Sequence, residues 1–522
     1  MRAFCNSLSR KKPESAFDTH LTSLKPSLSF LSIVLYGVAG VVGAGIFSSP
    51  GEIIGQYTGP SVAISFLLAA MACAISGVCY ADFAAKYPAA GGSYAYVYTS
   101  LGEFAAFIAG IGNTFEYAFA GAAVARGWSG YLRNAIPALK YFSFEQSKND
   151  DKRVARYIEP DLFAPILCIL VVSVCLLGVK QSSRLSAILT VINVSAIFFI
   201  VGVGSFYVSA ENYTPFFPTE ASGIFRGATS AFFAFIAWDS VCVLSEEVKE
   251  PRKTIPRAIF VVIGLVALLY ASLVTVLAGM KPASEIGSYT PFSDAFPIGH
   301  FARPFLSVVI ILCATNSTYA SAQGQPRVWL GMARDGLLPK KFQEVNAAGT
   351  PVFSLLCTGA LMTATSAVFN FSTLGEATTA VVLIVQALVS FGCLVSRLRD
   401  RKLSPTRRNA AYVLTGLGSL AVTLAAGFFE RSGDKELVVN TSAMFWTVCV
   451  VLFSVSAAFG LLAVLATGTP SSIVPVCATL VNLFFVGMVG FVSLLQMLVI
   501  LAVFSLIYFA YGMRHSKLGR SV

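Results

Sequence analysis

Residues 29–49 read SFLSIVLYGVAGVVGAGIFSS, a near-uniformly apolar stretch long enough to cross a bilayer yet interrupted by Gly37, Gly40, Gly43 and Gly45. Each glycine costs a helix interior about 1 kcal/mol relative to alanine. Four in one span therefore mark a place where the helix either opens or packs tightly against a neighbour. Inside hydrocarbon, non-helical backbone is tolerated only where protein buries it or where it lines a cavity. Read as a break, Gly43-Ala44-Gly45 starts a second half-helix whose bare N–H groups and positive dipole end suit a small anionic group such as a carboxylate. On these residues alone both readings, break and close packing, stay open.

The rest of the chain has the same character. Over 522 residues, 56% are hydrophobic and 12% charged, and mean hydropathy is +0.73. About 25% charge is usual for soluble domains, so the chain is an all-α polytopic membrane protein. Apolar runs of roughly 20 residues predict about fourteen spans, near 29–54, 61–83, 103–125, 162–178, 186–208, 224–243, 258–280, 304–323, 352–369, 378–395, 411–428, 443–466, 472–488 and 492–512. The polar residues 1–28 form an uncleaved tail, because the first apolar run exceeds a signal-peptide core.

A net charge of +11 invites a nucleic-acid partner, but the placement of the charges argues for lipid instead. With the N-terminus in the cytoplasm, the clusters 10–12, 249–257, 327–341, 397–408 and 514–520 all fall inside, the positive-inside pattern. Both termini are then cytoplasmic. A plasma membrane is the first expectation and a vacuolar or other internal membrane the second. Sequons at Asn212, Asn370 and Asn440 fall in predicted outer loops, which agrees with this topology and gives weak support to glycosylation. The eleven Cys show no metal-ligand spacing and read as small packing residues. No metal, no cofactor and no enzymatic nucleophile–base pair is expected.

Several motifs in order now carry a specific likeness. GAGIF at 43–47, CYADFAAKYPAAGGSYAYVY at 79–98, VARGWS at 124–129, SEEVKEP at 245–251, the stretch from Pro326-Arg327 to Met332-Ala333-Arg334-Asp335-Gly336-Leu337-Leu338, and YFAYG at 508–512 resemble the cationic amino acid transporter family of the amino acid–polyamine–organocation superfamily. The resemblance implies a LeuT-type architecture, a 5+5 inverted repeat with helices 1 and 6 broken. Spans 1–5 would occupy residues 29–210, spans 6–10 residues 211–400, spans 11–14 residues 401–512, and residues 513–522 a second tail. Span 6 contains Asp239, an ionisable residue costly in lipid unless paired or solvated. Relatives usually carry Gly and Phe where this chain has Ala237 and Trp238, which weakens the local signal for unwinding.

The resemblance also implies site residues. The substrate carboxylate would meet the N–H groups of Ala44 and Gly45, with Gly43 opening the coil, and the α-ammonium would meet carbonyls of Val41, Phe233 and Ile236, with Ala234 between them. Phe233 sits where relatives place an aromatic gate. Trp238 would form a second lid or, on the plainer reading, pack in the core. Glu116, deep in span 3, offers a counter-ion for lysine, ornithine or arginine, or else is a protonated acid bonded to a neighbouring helix. Ser317 and Ser321, in a polar run with Thr315, Asn316 and Thr318, suit a cavity wall or ordinary helix bridging. Proton-coupled relatives place a lysine at position 193. Asn193 cannot exchange a proton near neutral pH, so facilitated diffusion or exchange is expected. Glu246, Glu247, Arg327, Arg334 and Asp335 are expected to form gating ion pairs, against the alternative of solvated loop charge.

The expected function is an alternating-access permease for cationic amino acids. Neutral amino acids or polyamines, with proton coupling through Glu116, form the second expectation. A nutrient-sensing receptor on the same scaffold is the third, disfavoured by the short tail after Tyr511.

Overall fold

The computed structural model describes residues 8–12, 28–87, 92–136, 138–139, 159–176, 183–218, 221–243, 245, 248–287, 290–297, 299–346, 351–401, 403–431 and 442–520. A helical segment lies over each of the fourteen predicted spans. Span 1 comprises Phe30–Val41 and Ala44–Glu52, followed by span 2 (Val62–Lys86), span 3 (Glu103–Ala135), span 4 (Phe163–Leu176) and span 5 (Ser183–Gly204). Span 6 comprises Ala221–Ala231, a 3-10 turn Phe232–Phe235 and Ser240–Val243. Spans 7 to 10 are Pro251–Met280, Ala302–Arg334, Val352–Val368 and Phe371–Asp400. Spans 11 to 14 are Pro405–Arg431, Ser442–Thr467, Ile473–Gly487 and Phe491–Ile507. The one β pairing among the described residues is a single bridge between Leu28 and Val248.

Seven helical stretches among the described residues are long and apolar enough to cross a bilayer unaided. The first half of span 1, Phe30–Val41, is too short for that group, while its second half runs on with span 2 as one stretch, Gly45–Lys86. Span 2 packs on span 7, span 3 on span 8, and span 4 on span 9. Spans 1 and 6 cross at their breaks. Spans 1 to 4 are thus each paired with the span five later, while span 5 packs on spans 7 and 8. Spans 11 to 13 pack on one another and reach the first ten spans chiefly through contacts of span 13 with spans 2 and 10, while span 14 packs on spans 3 and 10.

One expectation needs correction. Span 3 runs ten residues past its predicted end at 125, to Ala135. Its charge there is neutralised: Arg126 is 1% exposed and lies 3.4 Å from Glu159 and 3.5 Å from Asp161, with Arg133 2.9 Å from the same Asp161. Asp161 Oδ1 also accepts from the Phe163 and Ala164 amides, capping span 4. The tyrosine stretch that follows span 2 is a buried short helix, Gly92–Ser100, laid between spans 3 and 10. Two sequon asparagines make hydrogen bonds. Asn370 Oδ1 accepts from Thr373 N at 2.8 Å as the cap of span 10, and Asn212 Nδ2 donates to Gly279 O at 2.7 Å. Asn440 lies outside the described residues.

Candidate functional site at two facing helix breaks

Span 1 stops at Val41 and restarts at Ala44. Val42 and Gly43 are extended or irregular, and Gly43 brings no side chain to cap the following amides. The first N–H groups of Ala44–Glu52 are therefore left for an outside acceptor. Span 6 opens in the same way. After the 3-10 turn, Ile236 is extended at ψ 151° and Ala237 is left-handed at φ +72°. Ser240 N–H donates to Ala237 O, so the Ile236 carbonyl loses its regular partner. The missing glycine at 237 did not prevent unwinding: an alanine adopts the left-handed conformation, at a cost of about 1–2 kcal/mol.

The two breaks face one another, and the span-1 glycines set the distance. An ideal Cβ on Gly40 would lie 3.2 Å from Ser240 Oγ, and one on Gly45 would lie 3.4 Å from Phe233 Cε1 and 3.5 Å from Ala234 Cα. On Gly43 it would lie 2.7 Å from Ser317 Oγ, and on Gly37 2.7 Å from Val241 and Val262. Break and close packing therefore coexist: the same glycines that allow the opening also let span 6 and span 8 approach it.

The structure distributes the other expected residues unevenly. Asn193 lies against the break and donates from Nδ2 to Val42 O at 3.0 Å. Val41 O accepts from Tyr270 Oη at 2.9 Å and from Gly43 N at 2.8 Å, so both its lone pairs are occupied and it is not an open acceptor. Phe233 O accepts Ile236 N at 3.4 Å. Trp238 is buried against Tyr80, ring centroids 4.9 Å apart, in the core position of the plainer reading. Ser317 Oγ donates to Cys313 O at 3.1 Å, and Ser321 meets Gly121 of span 3.

Glu116 and Asp239, noted separately in the sequence, are electrostatic neighbours. Tyr80 lies in reach of both, and Tyr117 in reach of both and of Arg327. Two carboxylates thus flank one buried region beside the second break.

At the end of the bundle that holds Asp335, the gating expectation is revised. Asp335 pairs with Lys12 of the N-terminal segment at 3.1 Å, accepts from Tyr94 Oη at 2.9 Å, and its backbone O accepts Lys517 N at 3.1 Å. Arg327 and Arg334 are exposed and make no ion pair among the described residues. Glu246 and Glu247 lie outside those residues. Sequence reading also missed Glu103, a fully buried carboxylate that accepts from Tyr98 at 3.2 Å, Tyr508 at 3.0 Å and Ser516. Two of its three donors, Tyr508 and Ser516, lie more than 400 positions away, so no local pattern announces it.

The comparisons agree with this geometry. The sequence profile of the amino acid permease family matches residues 28–455, a stretch that contains both breaks. The chain belongs to the amino acid permease family. This permease is similar to a protein named methylthioribose transporter from Bacillus subtilis (strain 168), 32% identical over 410 residues, 77% of this chain and 88% of that protein. It is also similar to cationic amino acid transporter 4 of Mus musculus, 34% identical over 77% of this chain and 64% of that protein. A vacuolar cationic amino acid transporter 4 from Arabidopsis thaliana is 31% identical over 75% of this chain and 67% of its own length. The permease thus spans about two thirds of the cationic transporters it matches.

Proposed function

We propose that the permease carries cationic amino acids by alternating access around the space between the two breaks, as a facilitator or exchanger in a plasma membrane with both termini cytoplasmic. The observation that supports this reading is the pair of facing breaks, which leaves the amides at 44–45 without a side-chain cap and the Ile236 carbonyl without its regular helical partner; Asp239 follows the second break and Glu116 is buried in span 3. Amides and the dipole end attract the substrate carboxylate, the carbonyl attracts the α-ammonium, and the acid pair balances a positive side chain in low dielectric. Substrate that makes both sets of contacts favours the closed arrangement over either open one, which is how binding drives exchange of access.

The test is uptake into proteoliposomes. Glu116→Gln should lower arginine uptake about tenfold and leave competition by neutral amino acids much less changed. Equal losses for both would remove the cationic assignment. The match to a methylthioribose transporter over most of that protein's length supports a second reading, a neutral thiosugar substrate. Saturable methylthioribose uptake without arginine uptake would favour it.

A further inference from the structure

Where span 10 ends and span 11 begins, residues 397–408 carry Arg397, Arg399, Arg401, Lys402, Arg407 and Arg408 against a single acid, Asp400. The nearby carboxylates are committed to other cations. Asp82 accepts from Arg397 at 3.0 Å, and Asp400 pairs with Lys86 at 2.8 Å. Arg408 pairs with no acid among the described residues, and neither does Lys11 of the N-terminal segment.

Packing brings Lys11 to this place. Its Nζ donates to Ser100 O, and the Ser100 side chain sits against Gly392 of span 10. Arg399 lies seven residues further along the same helix, two turns on and on nearly the same face. Span 11 meets span 10 here as well: Leu398 and Ala411 share one apolar cluster, and the rings of Phe391 and Tyr412 lie 5.9 Å apart edge to face. Arg408 is one turn before Tyr412, whose hydroxyl is in electrostatic reach of both Arg399 and Arg408. Burial and the Arg399 and Arg408 guanidiniums hold the Lys11 ammonium below the usual lysine range. Three cations from three segments thus face one another, an arrangement that repels itself until an anion enters.

We propose that this cluster binds the phosphate headgroup of an acidic phospholipid, with Lys11, Arg399 and Arg408 as its ligands. The surface beside it favours a lipid over a soluble phosphate compound. Further along span 11, Val413, Leu417, Leu420 and Leu424 form an exposed apolar stripe at helical spacing, a surface for acyl chains to cover. Tyr412 stands at the boundary, its ring against Phe391 and its hydroxyl toward the guanidiniums, the amphipathic placement common at a membrane interface. On the reading of both termini as cytoplasmic, this end meets the leaflet that carries acidic lipid. A headgroup held there joins residues 8–12 to the hairpin of spans 10 and 11. The inference does not depend on which substrate is carried.

The experiment is native mass spectrometry of the purified full chain titrated with dioleoyl phosphatidic acid, whose phosphate monoester suits several cations. The wild type should retain one molecule per chain at concentrations where dioleoyl phosphatidylcholine leaves none. Lys11→Gln, Arg399→Gln and Arg408→Gln should each weaken retention about fivefold. Arg252→Gln, which removes an exposed charge at the start of span 7, should leave it unchanged. Equal weakening in all four variants would show diffuse charge attraction alone and overturn the site. Unchanged retention in the first three would put the lipid elsewhere and overturn it too. Glycerol phosphate, the same headgroup without its chains, should displace the lipid only at far higher concentration. Displacement at equal concentration would overturn the lipid assignment in favour of a soluble phosphate ligand.

Discussion

Ala237 holds the second break open at φ +72°, a conformation natural to glycine and strained for any residue with a Cβ. Ala237→Gly removes about 1–2 kcal/mol of that strain and adds about 0.5–1 kcal/mol of backbone entropy cost. The net expectation is a slightly higher melting temperature for the purified protein, whereas Ala237→Val should lower it by several degrees. A lower melting temperature for the glycine variant would mean that the backbone there is not strained. At the first break, Asn193→Ala removes the bond to Val42 O, worth about 1 kcal/mol. It should reduce arginine uptake several-fold with little change in expression. The sequence identified Asn193 by position alone. That its amide would hold the break, in place of an ionisable lysine, required the coordinates.

At the scale of the helices, the two breaks were unequally legible. Span 1 advertised itself through four glycines, since no other residue offers so little resistance to close approach. Span 6 did not, because its left-handed residue is an alanine and its unwinding is enforced by packing against span 1. Local propensity is a weak prior where tertiary contacts decide. The same contacts make a directional prediction. Gly43→Ala places a methyl group 2.7 Å from Ser317 Oγ and should abolish most uptake, and Ser317→Gly in the same chain should restore a measurable part of it. Two independent losses with no recovery would show that Gly43 acts on the substrate rather than on span 8. The sequence reading ends span 3 at residue 125, just before Arg126. Its neutralisation by Glu159 and Asp161, more than thirty positions away, is invisible to any local window.

For the molecule as a whole, the fourteen spans were readable from length and hydropathy, because in lipid every backbone polar group must find its partner within its own helix. What could not be read is how the ends are tied. At one end, Lys12, Tyr94 and the segment from Ser516 to Lys517 converge on Asp335 and Glu103. The Lys12–Asp335 pair is partly exposed and worth at most about 1 kcal/mol alone, but Asp335 anchors three segments together. Asp335→Asn should therefore speed amide exchange in residues 8–12 and 94–100 together, and unchanged exchange there would refute a shared anchor. Because position 193 carries no titratable group, arginine uptake should not respond to an imposed pH gradient at constant membrane potential. The central claim, that two opened coils clasp a zwitterion midway across the bilayer, is tested most directly by a cryo-electron microscopy map of the permease saturated with arginine. The account predicts ligand density whose carboxylate end meets the amides of Ala44 and Gly45 and whose ammonium meets the Ile236 carbonyl. Helices that run unbroken through 41–45 and 232–240, with no density between them, would contradict it.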